Sequence, residues 1–135
     1  MKYFLDTNIC IYYLKGIYPQ LKKKLLSYNP DRIVIPSITK AELLFGAEKS
    51  KKRKANLEKI HEFLLPFQIQ SFSDSETYTY ARIRNELEKN GKPIGPNDIL
   101  IASIVLTNNG TLITNNMKEF ERIKGLKIEN WVDSI

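Results

Sequence analysis

The chain alternates short apolar runs with segments of helical pattern, and this alternation restricts its fold more than any other feature. Arg32-Ile33-Val34-Ile35, β-branched and closed by Pro36, reads as a buried strand. Phe67 to Phe72 alternates apolar and polar side chains, and Thr111-Leu112-Ile113-Thr114 is a further short strand. Lys2-Tyr3-Phe4-Leu5 is an apolar run of ambiguous type, and Lys127-Ile128-Glu129 is a last candidate strand. Helices are expected from Ile9 to a stop at Gly16, from Pro19 to Tyr28, and from a Ser37 cap through Phe45. Another runs through Leu57, Ile60, Phe63 and Leu64 and stops before Pro66. The capping box Ser73-Asp74-Ser75-Glu76 opens a long helix that ends near Asn90-Gly91. Lys92 to Asn97, with two prolines and a glycine, reads as irregular; Asp98 then starts an apolar helix that stops at Asn109-Gly110. Asn115-Asn116 begins a short helix. The expected class is α/β: a three-layer α/β/α sandwich around a mostly parallel sheet of four to five strands, one domain over residues 1–135.

Several classes are excluded by what the chain lacks. Cys10 is its one cysteine, so no disulfide framework is available and a reducing compartment is expected. The longest apolar run, Ile99 to Leu106, is too short to span a bilayer. Met1 to Asp6 meets an acid at once and lacks the apolar core of a signal peptide. A cytoplasmic protein without membrane attachment is the expectation. Charge is unevenly spread: residues 1–60 hold 13 basic and 5 acidic side chains, residues 61–135 hold 8 and 10. A basic half favours a polyanionic partner, nucleic acid before membrane.

In open parallel sheets ligands bind beyond the carboxyl ends of the strands. That rule brings Asp6, after the first strand, and Asn115-Asn116, after the strand 111–114, to one edge. Singly, the acids have ordinary readings. Asp6 and Asp98 suit helix caps, and Glu119 a solvated helix position. Glu42 shares a helix face with Ile38 and Phe45, which suits the edge of a core. Should Glu42 and Asp98 reach the same edge, like charges would collect there and call for a cation or raised pKa values. Oxygen ligands suit Mg²⁺ or Mn²⁺, and the absence of nearby Cys and His argues against zinc. An acidic metal pocket within a basic protein fits phosphodiester cleavage.

Four stretches carry a resemblance: Leu5-Asp6-Thr7-Asn8, Ala41-Glu42-Leu43, Ile94-Gly95-Pro96-Asn97-Asp98-Ile99-Leu100-Ile101-Ala102, and Thr114-Asn115-Asn116-Met117-Lys118-Glu119-Phe120. In this order and at these spacings they resemble the PIN domain, and more narrowly the VapC ribonuclease toxins of bacterial type II toxin–antitoxin pairs. The similarity runs from Met1 through Trp131. It implies a Mg²⁺-dependent endoribonuclease, with Mn²⁺ as a second possible metal, that arrests translation by hydrolysing structured RNA, tRNA or rRNA. Asp6, Asp98 and Glu42 match the family's metal-site acids, Asp6 and Asp98 as direct ligands. Many members carry Asp where this chain has Asn116; others have Asn there and an acid at the position of Glu119. The fourth carboxylate therefore stays open. Thr7, Asn8, Thr114 and Asn116 match polar positions beside the site, where hydroxyls and amides orient carboxylates or water; the threonines suit helix-cap and strand-end roles equally. Implied partners are the RNA, a VapB-type antitoxin, a second copy of the chain, and operator DNA through the antitoxin. The competing reading is a PIN-like module that binds RNA or protein without catalysis.

Lys49, Lys51, Lys52, Arg53 and Lys54 form a run suited either to RNA backbone contact or to a solvated loop. Lys22-Lys23-Lys24 reads as the wet face of a helix. Tyr12, Tyr13, Ile17 and Tyr18 exceed what one buried stripe needs and suit either core packing or a groove for a partner helix. His61 reads as a surface residue, Cys10 as a buried small hydrophobe, and Trp131 as a packing anchor.

Overall fold

In a computed structural model, described here for residues 1–132, the strand signals become a five-stranded sheet in the order β3-β2-β1-β4-β5. The strands are β1 (Tyr3–Leu5), β2 (Ile33–Pro36), β3 (Gln68–Gln70), β4 (Thr111–Ile113) and β5 (Lys127–Glu129). Every neighbouring pair runs parallel, so the mostly parallel sheet expected from sequence is parallel throughout. The helices are α1 (Thr7–Lys15), α2 (Pro19–Leu26), α3 (Ser37–Glu48), α4 (Arg53–Leu64), α5 (Asp74–Lys89), α6 (Pro96–Thr107) and α7 (Met117–Phe120).

The pleat explains the layers. Tyr3, Leu5, Ile33, Ile35 and Ile113 face one core, shared with Ile9, Leu21, Leu43 and Ile60 of α1 to α4. Their neighbours Phe4, Val34 and Leu112 face the other, with Ile83 and Leu87 of α5 and Ile101, Ile104 and Val105 of α6. Successive strand residues point to opposite faces, and both faces are covered, so the central strands are apolar without alternation. This is why β1 was ambiguous in sequence. The polar Gln68 and Gln70 belong to β3, an edge strand with partners on one side only.

Local differences from the sequence reading have local causes. Helix α6 begins at Pro96 rather than Asp98, with Gly95 in the cap position; proline at the first helical residue has no amide hydrogen to lose. Pro36, not Ser37, holds the cap position of α3, and the Ser37 hydroxyl instead accepts the Phe72 N–H at 3.3 Å. Helix α2 ends at Leu26, short of Tyr28, and β3 is shorter than the alternating run that contains it. Phe45 is 64% exposed, so the apolar stripe of α3 does not extend to it. Gly16 closes α1 in the left-handed conformation at φ 66°. Gly110 meets a different demand: a Cβ there would lie 2.2 Å from the Phe4 ring.

The remaining single-residue readings resolve simply. Cys10 is fully buried, His61 is exposed, and Lys22, Lys23 and Lys24 are exposed on α2. Trp131 is buried against Tyr3 and Tyr28, 5.2 and 5.3 Å between ring centres. Tyr12, Tyr13 and Tyr18 pack against the first core, whereas Ile17 is exposed. Among the described residues, no helix is long and apolar enough to cross a membrane.

Candidate active site

The strand order reverses at β1: β2 and β3 lie on one side, β4 and β5 on the other. Such a reversal opens a crevice at the carboxyl ends of the two central strands, here β1 and β4. Asp6 and Thr114 are the first residues beyond those strands, and both are buried. The Asp6 N–H donates to the Ile113 carbonyl at 3.1 Å, which fixes the start of α1 against the end of β4.

Asp6 meets both of its sequence readings. It is the N-cap of α1, its Oδ1 accepting the Ile9 N–H at 2.9 Å. It also faces other acids. Burial pushes its carboxyl up to about 6; the Thr114 hydroxyl and the Ile9 amide oppose that rise, and the charges of Asp98 and Glu42 add to it. Asp98 sits in the first turn of α6 and is half-buried. Its carboxyl is also raised to about 6, by desolvation first, then by the charges of Glu119 and Glu42. The cap position of α6 belongs to Gly95, so Asp98 is free of the capping role the sequence allowed it.

Glu42 lies in the second turn of α3 and is held from two directions. The Thr7 hydroxyl of α1 donates to its Oε1, and Asn97 Nδ2 of α6 donates to its Oε2 at 3.2 Å. Asn97 is a site residue to which the sequence reading gives no role of its own, at the end of the irregular segment before Asp98. Its adjacency to Asp98 was visible, but its reach to an acid 55 positions away was not. Thr39 was also missed: its buried hydroxyl donates to the Leu5 carbonyl at 3.1 Å, tying α3 to the strand that ends at Asp6.

Thr114 bonds three ways at the floor of the crevice. Its N–H donates to the Glu129 carbonyl at 3.0 Å, its hydroxyl oxygen accepts the Asn116 N–H at 2.9 Å, and the same hydroxyl serves Asp6. Asn116 occupies the cap position of α7 without a side-chain cap bond, and Glu119 lies in that helix, half-buried. The structure thus brings Asp6, Glu42, Asp98 and Glu119 within electrostatic reach, with Thr7 and Thr114 bonded to two of them. Asn8 is exposed on α1 and joins none of these hydrogen bonds among the described residues. The basic run spans the turn after α3 and the first residues of α4. There Arg53 is tied to Glu48 at 2.5 and 3.0 Å, and the Lys49 ammonium lies 5.0 Å from the Phe45 ring centre.

Among the described residues, no three His, Cys, Asp or Glu side chains are gathered closely enough to enclose a metal ion as they stand. The carboxylates feel one another's charge without converging on one point. A spread, all-oxygen set suits a hard cation that keeps waters of its own, as Mg²⁺ does, and not a caged Zn²⁺.

A crevice of acids at the switch point of a parallel sheet places the chain among α/β proteins whose site lies at the carboxyl ends of the strands. The PIN domain matches residues 3–126. The chain is 47% identical over 135 residues to Ribonuclease VapC2 of Rickettsia felis, covering 97% of this chain and 98% of the relative. It is 37% identical over 131 residues to the tRNA(fMet)-specific endonuclease VapC of Salmonella typhimurium, covering 97% and 98%. The crystal structure of VapBC2 from Rickettsia felis bound to a promoter DNA fragment superposes with a TM-score of 0.92, at 44% identity, over 97% of this chain and 99% of that one. The chain belongs to the PIN domain family, in its VapC branch.

Proposed function

We propose that the chain is a divalent-metal-dependent endoribonuclease, the toxin of a toxin–antitoxin pair, with Mg²⁺ as its cofactor and Mn²⁺ able to replace it. The observation that carries this reading is the pair Asp6 and Asp98, both held near pKa 6 by desolvation and by the acids around them. Carboxylates that ionise at such cost gain from a cation, and the relatives' names supply the reaction class. Asp6 and Asp98 would hold the ion, and Glu42 would complete the set, directly or through water. A bound divalent cation supplies an activated water and offsets charge on the scissile phosphate. Thr7 and Asn97 keep the Glu42 carboxylate in one orientation, and Thr114 does the same for Asp6. Glu119, facing Asp98, is the candidate fourth acid where Asn116 offers an amide. Hydrolysis adds water across the P–O3′ bond and leaves a 5′-phosphate and a 3′-hydroxyl.

Structured RNA is the proposed substrate, with tRNA first, since one relative is named for tRNA(fMet). The likeness to VapBC complexes on promoter DNA supports a VapB-type antitoxin as partner, with DNA reached through it. A dimeric toxin in a cytoplasmic setting belongs to the same proposal. Lys51, Lys52 and Lys54 are proposed to reach RNA backbone away from the cleaved bond.

The test is cleavage of total cellular RNA by purified, antitoxin-free protein in Mg²⁺, Mn²⁺ or EDTA, with Asp6→Asn protein in parallel. Discrete fragments that need metal and vanish in the variant are expected. Folded protein that binds RNA unchanged by chelator and yields no fragment under any metal would establish the non-catalytic binding module instead.

A further inference from the structure

The first turn of α6 and the short helix α7 supply two of the four acids, Asp98 and Glu119. The loop just before α6 and the segment that runs through and past α7 supply cations. Lys92, Lys118 and Arg122 line one surface concavity of about 460 Å³, together with Gly91, Pro93 and Glu121. Helical hydrogen bonding continues past α7: the Glu121 N–H donates to the Met117 carbonyl at 2.9 Å and the Arg122 N–H to the Glu119 carbonyl at 3.2 Å. Lys118 and Arg122, four residues apart on one turn, therefore share a face. Arg122 Nη1 donates to the Pro93 carbonyl at 3.2 Å, which holds the guanidinium against the loop and leaves its other donors free.

All three cations are exposed, and none enters an ion pair; among the described residues the ion pairs are Arg53–Glu48 and Arg84–Glu88. The contrast with the basic run 49–54 is direct, because there Arg53 is already neutralised. A polyanion approaching four carboxylates is repelled unless cations stand beside them. Lys118 neighbours Glu119 in the chain, and Lys92 lies six positions before Asp98, so these two cations lie close to those acids along the chain.

We propose that this concavity is a phosphate-binding subsite that holds the RNA backbone beside the bond to be cleaved; the proposal rests on the ribonuclease reading above. Two segments that meet only in the folded chain form it. Its charge is suited to two or three consecutive phosphates, and Glu121 is the one acid that weakens it.

Binding of a fluorescein-labelled tRNA is measured by anisotropy in EDTA, where no cleavage occurs, across a series of salt concentrations. The triple variant Lys92→Gln/Lys118→Gln/Arg122→Gln is expected to bind about tenfold more weakly. The slope of log affinity against log salt should fall by about two to three, roughly one for each phosphate contact. Lys22→Gln/Lys23→Gln/Lys24→Gln removes the same charge from α2 and is expected to lose less than about threefold. Glu121→Gln is expected to tighten binding. The double variant Lys92→Gln/Lys118→Gln leaves the Arg122–Pro93 bond in place and should retain most of the loss, which separates charge from loop geometry. Equal losses in the two triples, or no loss in the first, would overturn the subsite. The ribonuclease reading fails separately, by absence of metal-dependent fragments from the unaltered protein, while the anisotropy still reads the subsite.

Discussion

The Thr7 hydroxyl donates to Glu42 Oε1 across 35 positions of sequence, joining the first residue of α1 to the second turn of α3. With Asn97 on the other oxygen, the Glu42 carboxylate is fixed by one donor from each neighbouring helix. Thr7→Val removes one donor while keeping the shape of the side chain. Cleavage is expected to fall by about 10- to 100-fold, the usual effect of losing a group that orients a metal-site carboxylate. Thr7→Ser should restore most of it. Metal-dependent cleavage rates and thermal melts of the two variants provide the check, the melting temperature staying near that of the parent.

Asp6→Asn should abolish cleavage and yet stabilise the metal-free protein at neutral pH. The folded pKa of about 6 lies above the ordinary 3.8, so the folded state prefers the protonated carboxyl. The stability this group contributes is full below pH 4 and is lost as pH rises through about 6. Asparagine removes the charge and still caps α1. Asp6→Ala also removes the charge but forfeits the cap to the Ile9 amide, about 1 kcal/mol. Melting curves in EDTA at neutral pH should therefore rank Asn above Ala, with Asn above the parent.

Binding of Mg²⁺ or Mn²⁺ should raise the melting temperature in a pH-dependent way. The Asp6 and Asp98 carboxyls are both raised to about 6, so a proton and a metal held there would compete for the same oxygens. The thermal shift is expected to be large at pH 8, to shrink as pH falls through 6, and to be absent in Asp98→Asn. A shift of equal size at pH 5 would show that the ion binds elsewhere.

Gly110→Ala should destabilise the fold by about 1–3 kcal/mol, the usual cost of overpacking a core. The added Cβ would meet the Phe4 ring at 2.2 Å and the Lys2 carbonyl at 3.3 Å. Urea unfolding followed by circular dichroism reads this directly. Phe4→Leu in the same chain should recover part of the loss, because it withdraws the ring.

Much of the architecture was legible because the signals are local. Gly16 ends α1, the Ser73–Glu76 box opens α5 with Glu76 Oε1 accepting the Ser73 N–H at 3.2 Å, and Ile33-Val34-Ile35 forms a buried strand. The errors were local as well. Pro96 reads as loop in the sequence yet opens α6, because proline is at home in the first turn of a helix. Phe45 was assigned to a core face, but α3 buries Leu43 and Ala47 and leaves that ring in solvent. Asp6 could be selected because strand ends are predictable from strands, and Glu42, Asp98 and the candidate Glu119 because their order resembles a known family. Asn97 and Thr39 have no local mark of their role, since each bonds to a group its own segment does not contain, and Lys92, Lys118 and Arg122 come together only in the fold.

The sequence by itself determined the strand and helix order, the mostly parallel α/β class and the acid at the end of the first strand, because periodicity, caps and β-branched runs act over a few residues. Only the tertiary structure decided that β1 and β4 are neighbours at the switch point. It alone brought Glu42 between Thr7 and Asn97, and the loop at Lys92 beside Lys118 and Arg122. Those relations depend on which strands pair and how helices pack over them. Long-range burial fixes both, and neither is written in any single stretch of chain.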